Sequence, residues 1–410
     1  MRANRKTRDA RNLARPGVTV AAVYALARRA AQLLGATAPL AVLVLAAGCG
    51  AHRGPAAEVG ATGDVPGALP SGFHFRYRDS YRGWPLRSLH RQHPIRSSFL
   101  DPRGEMEIGR GGYHFGIDIS VDDARPDLRA PRGLSHRVYA VESGEASDVL
   151  GAPRHRRCDA RRVSIAHFDY WHVSPTVAPG QHVEAGQPIG WSCRGEWHVH
   201  LAEWTRVNGA RIWVNPLHRN GKLAPYVDSA PPVVASLRFF GPKDVRRAPF
   251  GQDQPEVMKP VSPVRLHGLV ELRAEIGDPQ SHWGFVARHP HWETLLHPYR
   301  VSVSIRSRRT RHVVLSRVSF QSDQLPRTPY LVHYAPETTE SLPIPQCRTA
   351  PSLMSCSGSY WFRPFSRFRR ELWDTRSVRD GAYVVTVRAW DVAGNEGSSS
   401  ARVVVDNGAL

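Results

Sequence analysis

The chain has 410 residues, enough for two or three domains, and its 41% apolar content is ample for packed cores. Its net charge is +19, nearly all of it arginine, since only Lys6, Lys222, Lys243 and Lys259 are lysine. That balance suits an anionic surface or reflects a compositional bias towards arginine. No compact basic run with interleaved aromatics occurs, so nucleic acid is not an expected partner.

Residues 1–29 are basic, and an apolar, uncharged run follows from about 30 to 51, ending in Leu45-Ala46-Ala47-Gly48-Cys49. A basic region, an apolar region and small residues before a break define a secretory signal, so residues 1–49 are expected to direct export to the periplasm or cell envelope. The cysteine at the break resembles a bacterial lipoprotein box, in which Cys49 is lipidated and anchors the chain to the membrane. Ordinary signal cleavage, or an uncleaved anchor long enough to span a bilayer, would serve export equally. Residues 50–72 are rich in Gly, Ala and Pro without periodicity and read as a tether; the linker is expected to extend over 50–80. Two domains are expected beyond it, 81–227 and 228–410.

Within the first, Tyr113 to Glu203 carries the chemistry. His114, Gly116 and Asp118 alternate with Phe115, Ile117 and Ile119, so an extended chain puts the polar set on one side. His198 and His200 flank Val199 with the same period, and Tyr170-Trp171-His172 lies between. Zinc is commonly held by imidazole and carboxylate, and a catalytic site keeps one position open for water. His114, Asp118 and one histidine of the closing pair would supply three ligands. The other histidine of the pair and His172 are left to act on the metal's water, whose pKa falls to about 7. An isolated His-x-His is weak among 20 histidines. A second pair, His289-Pro290-His291, is a decoy, because Pro290 breaks a ladder and no His-x-x-x-Asp accompanies it.

Several segments resemble, in order, the M23 family of zinc metallopeptidases of the lysostaphin and LytM type. They are Phe99-Leu100-Asp101-Pro102-Arg103, Gly112 to Ile119, Val138 to Val141 with Gly144, and Val163 to His167 with Tyr170 to Val173. Val177 to Gly190, Trp197 to Glu203 and Val214-Asn215-Pro216-Leu217 continue the match, which covers roughly a third of the chain. The resemblance implies zinc on His114, Asp118 and His200, with His172 and His198 as catalytic histidines. It departs from the family's pattern at the Arg-rich loop Asp148 to Arg162, and at Ser192 to Glu196, which carries Cys193 where Thr-Gly is usual.

Cys158 and Cys193 fall in the first domain and Cys347 and Cys356 in the second, so disulfides are expected in an exported protein, most economically within each domain. No Cys-x-x-Cys occurs, which argues against a second zinc site.

Short strands separated by Gly, Pro and Asp turns predict a mainly β chain: an antiparallel metallopeptidase-like domain followed by a β-sandwich. In the second domain Pro231 to Leu237, Val264 to Ile276 around Gly268, and Tyr299 to Ile305 read as strands. The end is clearest: Gly381 to Asp391, a turn through Asn395, then Ala401 to Val405. This resembles the last hairpin of immunoglobulin-like sandwich modules, and spaced short strands support a sandwich independently. Trp361, Phe362, Phe365 and Phe368 could stack on sugars but fit packing better. The expected function is a zinc metalloendopeptidase cutting peptidoglycan peptides. The rival is a non-catalytic envelope regulator that binds cell-wall amidases or polymers, as family members that have lost ligands do.

Overall fold

The computed structural model describes residues 65–103, 111–121, 123–150, 160–242, 258–281, 295–339 and 359–408. Cys49, Cys158, Cys347, Cys356 and the His289/His291 pair lie outside the described residues. The chain is mainly β and antiparallel. Helix among the described residues amounts to single turns such as Tyr330–His333, and no helix there is long and apolar enough to cross a membrane.

An eight-stranded sheet carries the expected site. Its order is Ile95–Ser97, Ile117–Ser120, His198–Val207, Phe168–Trp171, Arg162–Ile165, Gly144–Leu150 and His182–Val183, with Ala210–Val214 paired to His198–Val207. A three-stranded sheet of Leu134–Tyr139, Pro188–Cys193 and Val173–Pro175 sits beside it. The first half of His198–Val207 is buried almost throughout, because it lies between two neighbours and beneath a covered face.

The second half of the chain builds two further sheets. One runs Met258–Pro260, Val233–Pro242, Leu269–Pro279 and Leu295–Leu296, with Trp361–Phe362 and Trp373–Asp374 also paired to Leu269–Pro279. The other runs Val313–Gln321, Arg300–Ser307, Gly381–Trp390 and Glu396–Val405. Gly381–Trp390 shows clean period-two burial, with Tyr383, Val385, Val387 and Ala389 inside. The expected aromatic cluster divides: Trp361, Phe362 and Phe365 are core, and Phe368 is exposed.

Two expectations are corrected. Of the expected linker 50–80, residues 50–64 lie outside the described residues, and residues 65–80 are held by specific hydrogen bonds rather than free, although side chains such as Pro70, His74 and Arg76 stay exposed. The Pro66 and Gly67 carbonyls accept from Gln321 and Asp323 amides at 2.9 and 3.1 Å. Gly67 has φ +76°, and a Cβ there would lie 2.1 Å from the Gln321 carbonyl oxygen, so only glycine allows this approach. Tyr77 then donates to Glu203 at 2.6 Å. Second, the strand of the first motif begins at Ile117, not at His114. His114 is held just before it, its amide donating to Asp101 O at 2.8 Å and its carbonyl accepting from Leu100 N at 2.9 Å.

The halves do not have separate cores. One apolar cluster includes Ile117, Tyr170 and Leu201 from the first half and Leu272, Val303 and Val385 from the second.

Candidate metal centre

Strand register assembles the centre. His200 lies directly opposite Asp118 and His198 opposite Ser120, so His200, His198 and Asp118 share one face. On the other side His200 pairs with Trp171, which brings the next residue, His172, alongside. His172 has φ +61°, the left-handed region, and it sits between Phe168–Trp171 of the large sheet and Val173–Pro175 of the small one. That backbone turn lets the chain change sheets. The His172 carbonyl accepts from Cys193 N at 2.9 Å, and Cys193 is disulfide-bonded. The backbone of residue 193, anchored by its disulfide, therefore supports the turn at His172.

Three side chains converge within ligand distance. His114 Nε2 lies 2.8 Å from His200 Nδ1 and 3.2 Å from Asp118 Oδ1, and His200 Nδ1 lies 3.1 Å from the same oxygen. Ligands of a tetrahedral zinc shell stand about 3.3 Å apart. These buried residues form a group that could hold a metal ion.

The chemistry of the donors fits such an ion. His114 Nδ1 faces the Ser98 carbonyl at 2.9 Å, which can only accept, so the proton of a neutral ring sits on Nδ1 and Nε2 presents its lone pair to the centre. Asp118 Oδ1 presents another. Protonating His200 Nδ1 would relieve these two, but His200 Nε2 is buried with no hydrogen-bond partner among the described residues. Gly116 shapes the space around that ring: a Cβ there would lie 2.5 Å from the Leu201 carbonyl oxygen and 2.8 Å from His200 Nε2.

The other two expected histidines line the same face. His198 Nε2 is 3.5 Å from Asp118 Oδ1, and the His172 ring is 4.7 Å from that of His198 and 6.5 Å from that of His200. His198 Nδ1 donates to the Glu196 carbonyl at 2.6 Å, leaving its Nε2 lone pair towards the centre. The Arg96 guanidinium, 3.3 Å from that Nδ1, is then a charge neighbour rather than a donor to it. Burial, partly offset by Asp118 and reinforced by Arg96, lowers His198 to about 4. Burial lowers His200 to about 3 against the pull of Asp118. Burial alone would raise the Asp118 carboxyl, but His198, His114 and His200 hold it well below its ordinary value.

The structure gives roles to residues that the motifs left without one. Arg103 Nη2 approaches Asp118 Oδ2 at 3.4 Å. Glu196 Oε2 stands 3.9 Å from His172 Nδ1. Asp101, buried, gathers Ser97 Oγ, Ser98 N and Ser98 Oγ, fixing the segment whose carbonyl orients His114. Phe115, expected to face away from the metal side, packs its ring 4.6 Å from that of His200, because the strand alternation has not begun there.

Comparison with known protein families, with curated proteins and with solved structures finds no match.

Proposed function

We propose that the chain is a zinc-dependent metalloendopeptidase of the M23 type, acting on peptide bonds of peptidoglycan in the bacterial envelope. The observation that carries this reading is the meeting of His114, Asp118 and His200 within 2.8 to 3.2 Å of one another, with His198 and His172 on the same face. Zinc bound there supplies Lewis-acid polarisation of a carbonyl and a water of lowered pKa.

The chain's own residues do the rest. His114 and His200 enter as neutral donors, the first fixed in that form by Ser98. Asp118 brings the negative charge, and Arg103 steadies its outer oxygen. His198 keeps Nε2 free to accept a proton, since Nδ1 is committed to Glu196 O. His172, with Glu196 beside its Nδ1, is placed to donate to a developing oxyanion. All five polar side chains of the family's site are present, which favours an enzyme over a regulator that has lost its ligands. Export and lipid attachment at Cys49 would place it in the envelope; labelling with radioactive palmitate, lost in Cys49→Ala, checks that part.

The test is digestion of purified peptidoglycan by the full chain, with and without a chelator, followed by mass analysis. Peptide fragments that vanish on chelation and return with zinc are expected. Intact peptidoglycan in both arms would overturn the reading.

A further inference from the structure

A second group of potential ligands lies far from the histidines in sequence and has no nitrogen in it. Asp228 follows the end of the first half, Asp278 is next to last in Leu269–Pro279, and Asp391 opens the turn between Gly381–Trp390 and Glu396–Val405. One oxygen from each lies within 4.8 Å of the others, and the residues are 8%, 3% and 1% exposed.

Hydrogen bonds orient two of the carboxylates without neutralising them. Asp228 Oδ1 accepts from Ala230 N at 3.0 Å and Ser281 N at 3.2 Å. Asp391 Oδ1 accepts from Gly394 N at 2.6 Å and Asn395 N at 2.8 Å, and its Oδ2 from Asn395 Nδ2 at 2.6 Å. Asn395 Nδ2 also donates to the Asp228 carbonyl at 2.9 Å, tying the turn to the connecting segment. Asp278 is different: its Oδ1 is buried with no hydrogen-bond partner among the described residues. The charges acting on Asp278 are those of Asp228 and Asp391, both negative.

Three carboxylates held together out of water cannot all stay ionised unaided: they must either share protons or take up a cation. We propose that Asp228, Asp278 and Asp391 bind a hard divalent cation, Ca2+, at the seam between the two halves of the chain. Oxygen-only donors suit a hard cation better than zinc or copper, which favour nitrogen and sulfur. Ca2+ bonds of about 2.4 Å put the ligand oxygens of one ion no more than about 4.8 Å apart, and the three carboxylate oxygens lie inside that limit. Mg2+ gives up its water reluctantly, and three protein carboxylates at one point require it to do so. With no cation present, burial first and then its two acidic neighbours push Asp278 well above the ordinary carboxylate range. The Tyr226 phenol adjoins Asp228 and is itself pushed up, by burial and then by the three carboxylates in turn.

The full chain, stripped of metal and given one equivalent of Zn2+ to fill the histidine centre, is titrated with CaCl2 by calorimetry, with thermal unfolding in parallel. One Ca2+ per chain and a rise in Tm of about 3 °C or more at saturation are expected. Both should persist in His200→Ala and disappear in Asp278→Asn, and MgCl2 should bind at least tenfold more weakly. No Ca2+ binding in the unsubstituted chain, or an equal Ca2+ response in Asp278→Asn, overturns the site. Shared protons in place of a cation would give the first of these results, with Asp278→Asn melting no lower than the unsubstituted chain. Should Asp278→Asn not fold, Tb3+ luminescence excited through Tyr226 reads the same place. Emission that Ca2+ displaces and that Tyr226→Phe abolishes supports the site, and emission unaffected by Ca2+ overturns it.

Discussion

Gly116 sits where the polar and apolar walls of the histidine centre meet, and its missing side chain is a structural requirement. A methyl group there would press on the Leu201 carbonyl and on the His200 ring, both closer than real Cβ contacts allow. The backbone oxygen belongs to a central strand and cannot retreat, so the segment carrying residue 116, between His114 and Asp118, must shift and the His200 ring with it. Gly116→Ala is expected to weaken metal binding by about 10- to 100-fold, the scale of a disturbed supporting contact, measured by competition with a chelating dye. Unchanged affinity would mean that the ring does not need its present position. His200→Ala should leave the purified protein without zinc by metal analysis. His172→Ala should keep zinc and lose turnover by a factor of about 10² or more, the scale of a lost acid–base group. Four of the five polar residues were legible because His-x-x-x-Asp and His-x-His are local patterns, and the fifth, His172, because Tyr170-Trp171-His172 lies between them. Arg103, Arg96 and the Ser98 carbonyl were not, because their role depends on which chain segments the sheet brings together. Asp101 was quoted within a matching segment, but nothing local shows it gathering Ser97 and Ser98.

At the level of elements, alternation was a good guide where one face is buried and the other wet. The final hairpin is found as Gly381–Trp390 and Glu396–Val405, its first strand close to the expected bounds and its second beginning five residues before the expected Ala401. It was a poorer guide at Val264, which lies 67% exposed in a turn before the strand that starts after Gly268. The segment around Leu295–Leu296 gave no sequence signal, yet it places His297 against the segment that precedes the histidine centre, its amide donating to Ser98 Oγ at 2.7 Å. His297 and His333 are both buried among aromatic rings near this contact. Burial lowers each to about 3, and for His297 the neighbouring His333 adds to the shift. An unfolded histidine titrates near 6.5, so between about pH 6.5 and 3 the unfolded chain binds more protons than the folded one. Their contribution to stability is complete above about pH 6.5 and is lost as pH falls towards 3. The loss approaches about 1.4 kcal/mol per pH unit for each ring. Urea unfolding between pH 7 and 5 should show this slope, and His297→Gln should lessen it. An unchanged slope would show that His297 is not neutral in the folded chain.

For the whole molecule, the decisive feature is where the second half touches the first. A conventional enzyme with an appended binding module would tolerate removal of everything from Ser229 onward and still cut small peptides, and a chain of this motif order invites that expectation. The contacts point the other way. Tyr334 donates to Leu100 O at 2.8 Å, Tyr360 to Asp101 Oδ1 at 2.9 Å, and Gln280 exchanges two hydrogen bonds with the backbone of Ile95. These land on residues 95–101, the segment that carries the Ser98 carbonyl and so fixes the His114 tautomer. Removing residues 229–410 would leave Asp101 short of a donor, expose Leu100 and divide a shared apolar cluster. It would also free residues 65–69, which hydrogen-bond to Gln321 and Asp323. A buried hydrogen-bonded carboxylate stripped of a partner loses a contribution of about 1.5–3 kcal/mol, before any apolar surface is counted. The chain cut before Ser229 is therefore expected to bind zinc at least tenfold more weakly than the full chain and to be degraded faster by chymotrypsin, with both measured at matched concentration. A truncated chain that holds zinc as tightly as the full one would show that residues 95–101 keep their shape without the second half, and that the two sheets beyond Ser229 serve something other than the metal centre.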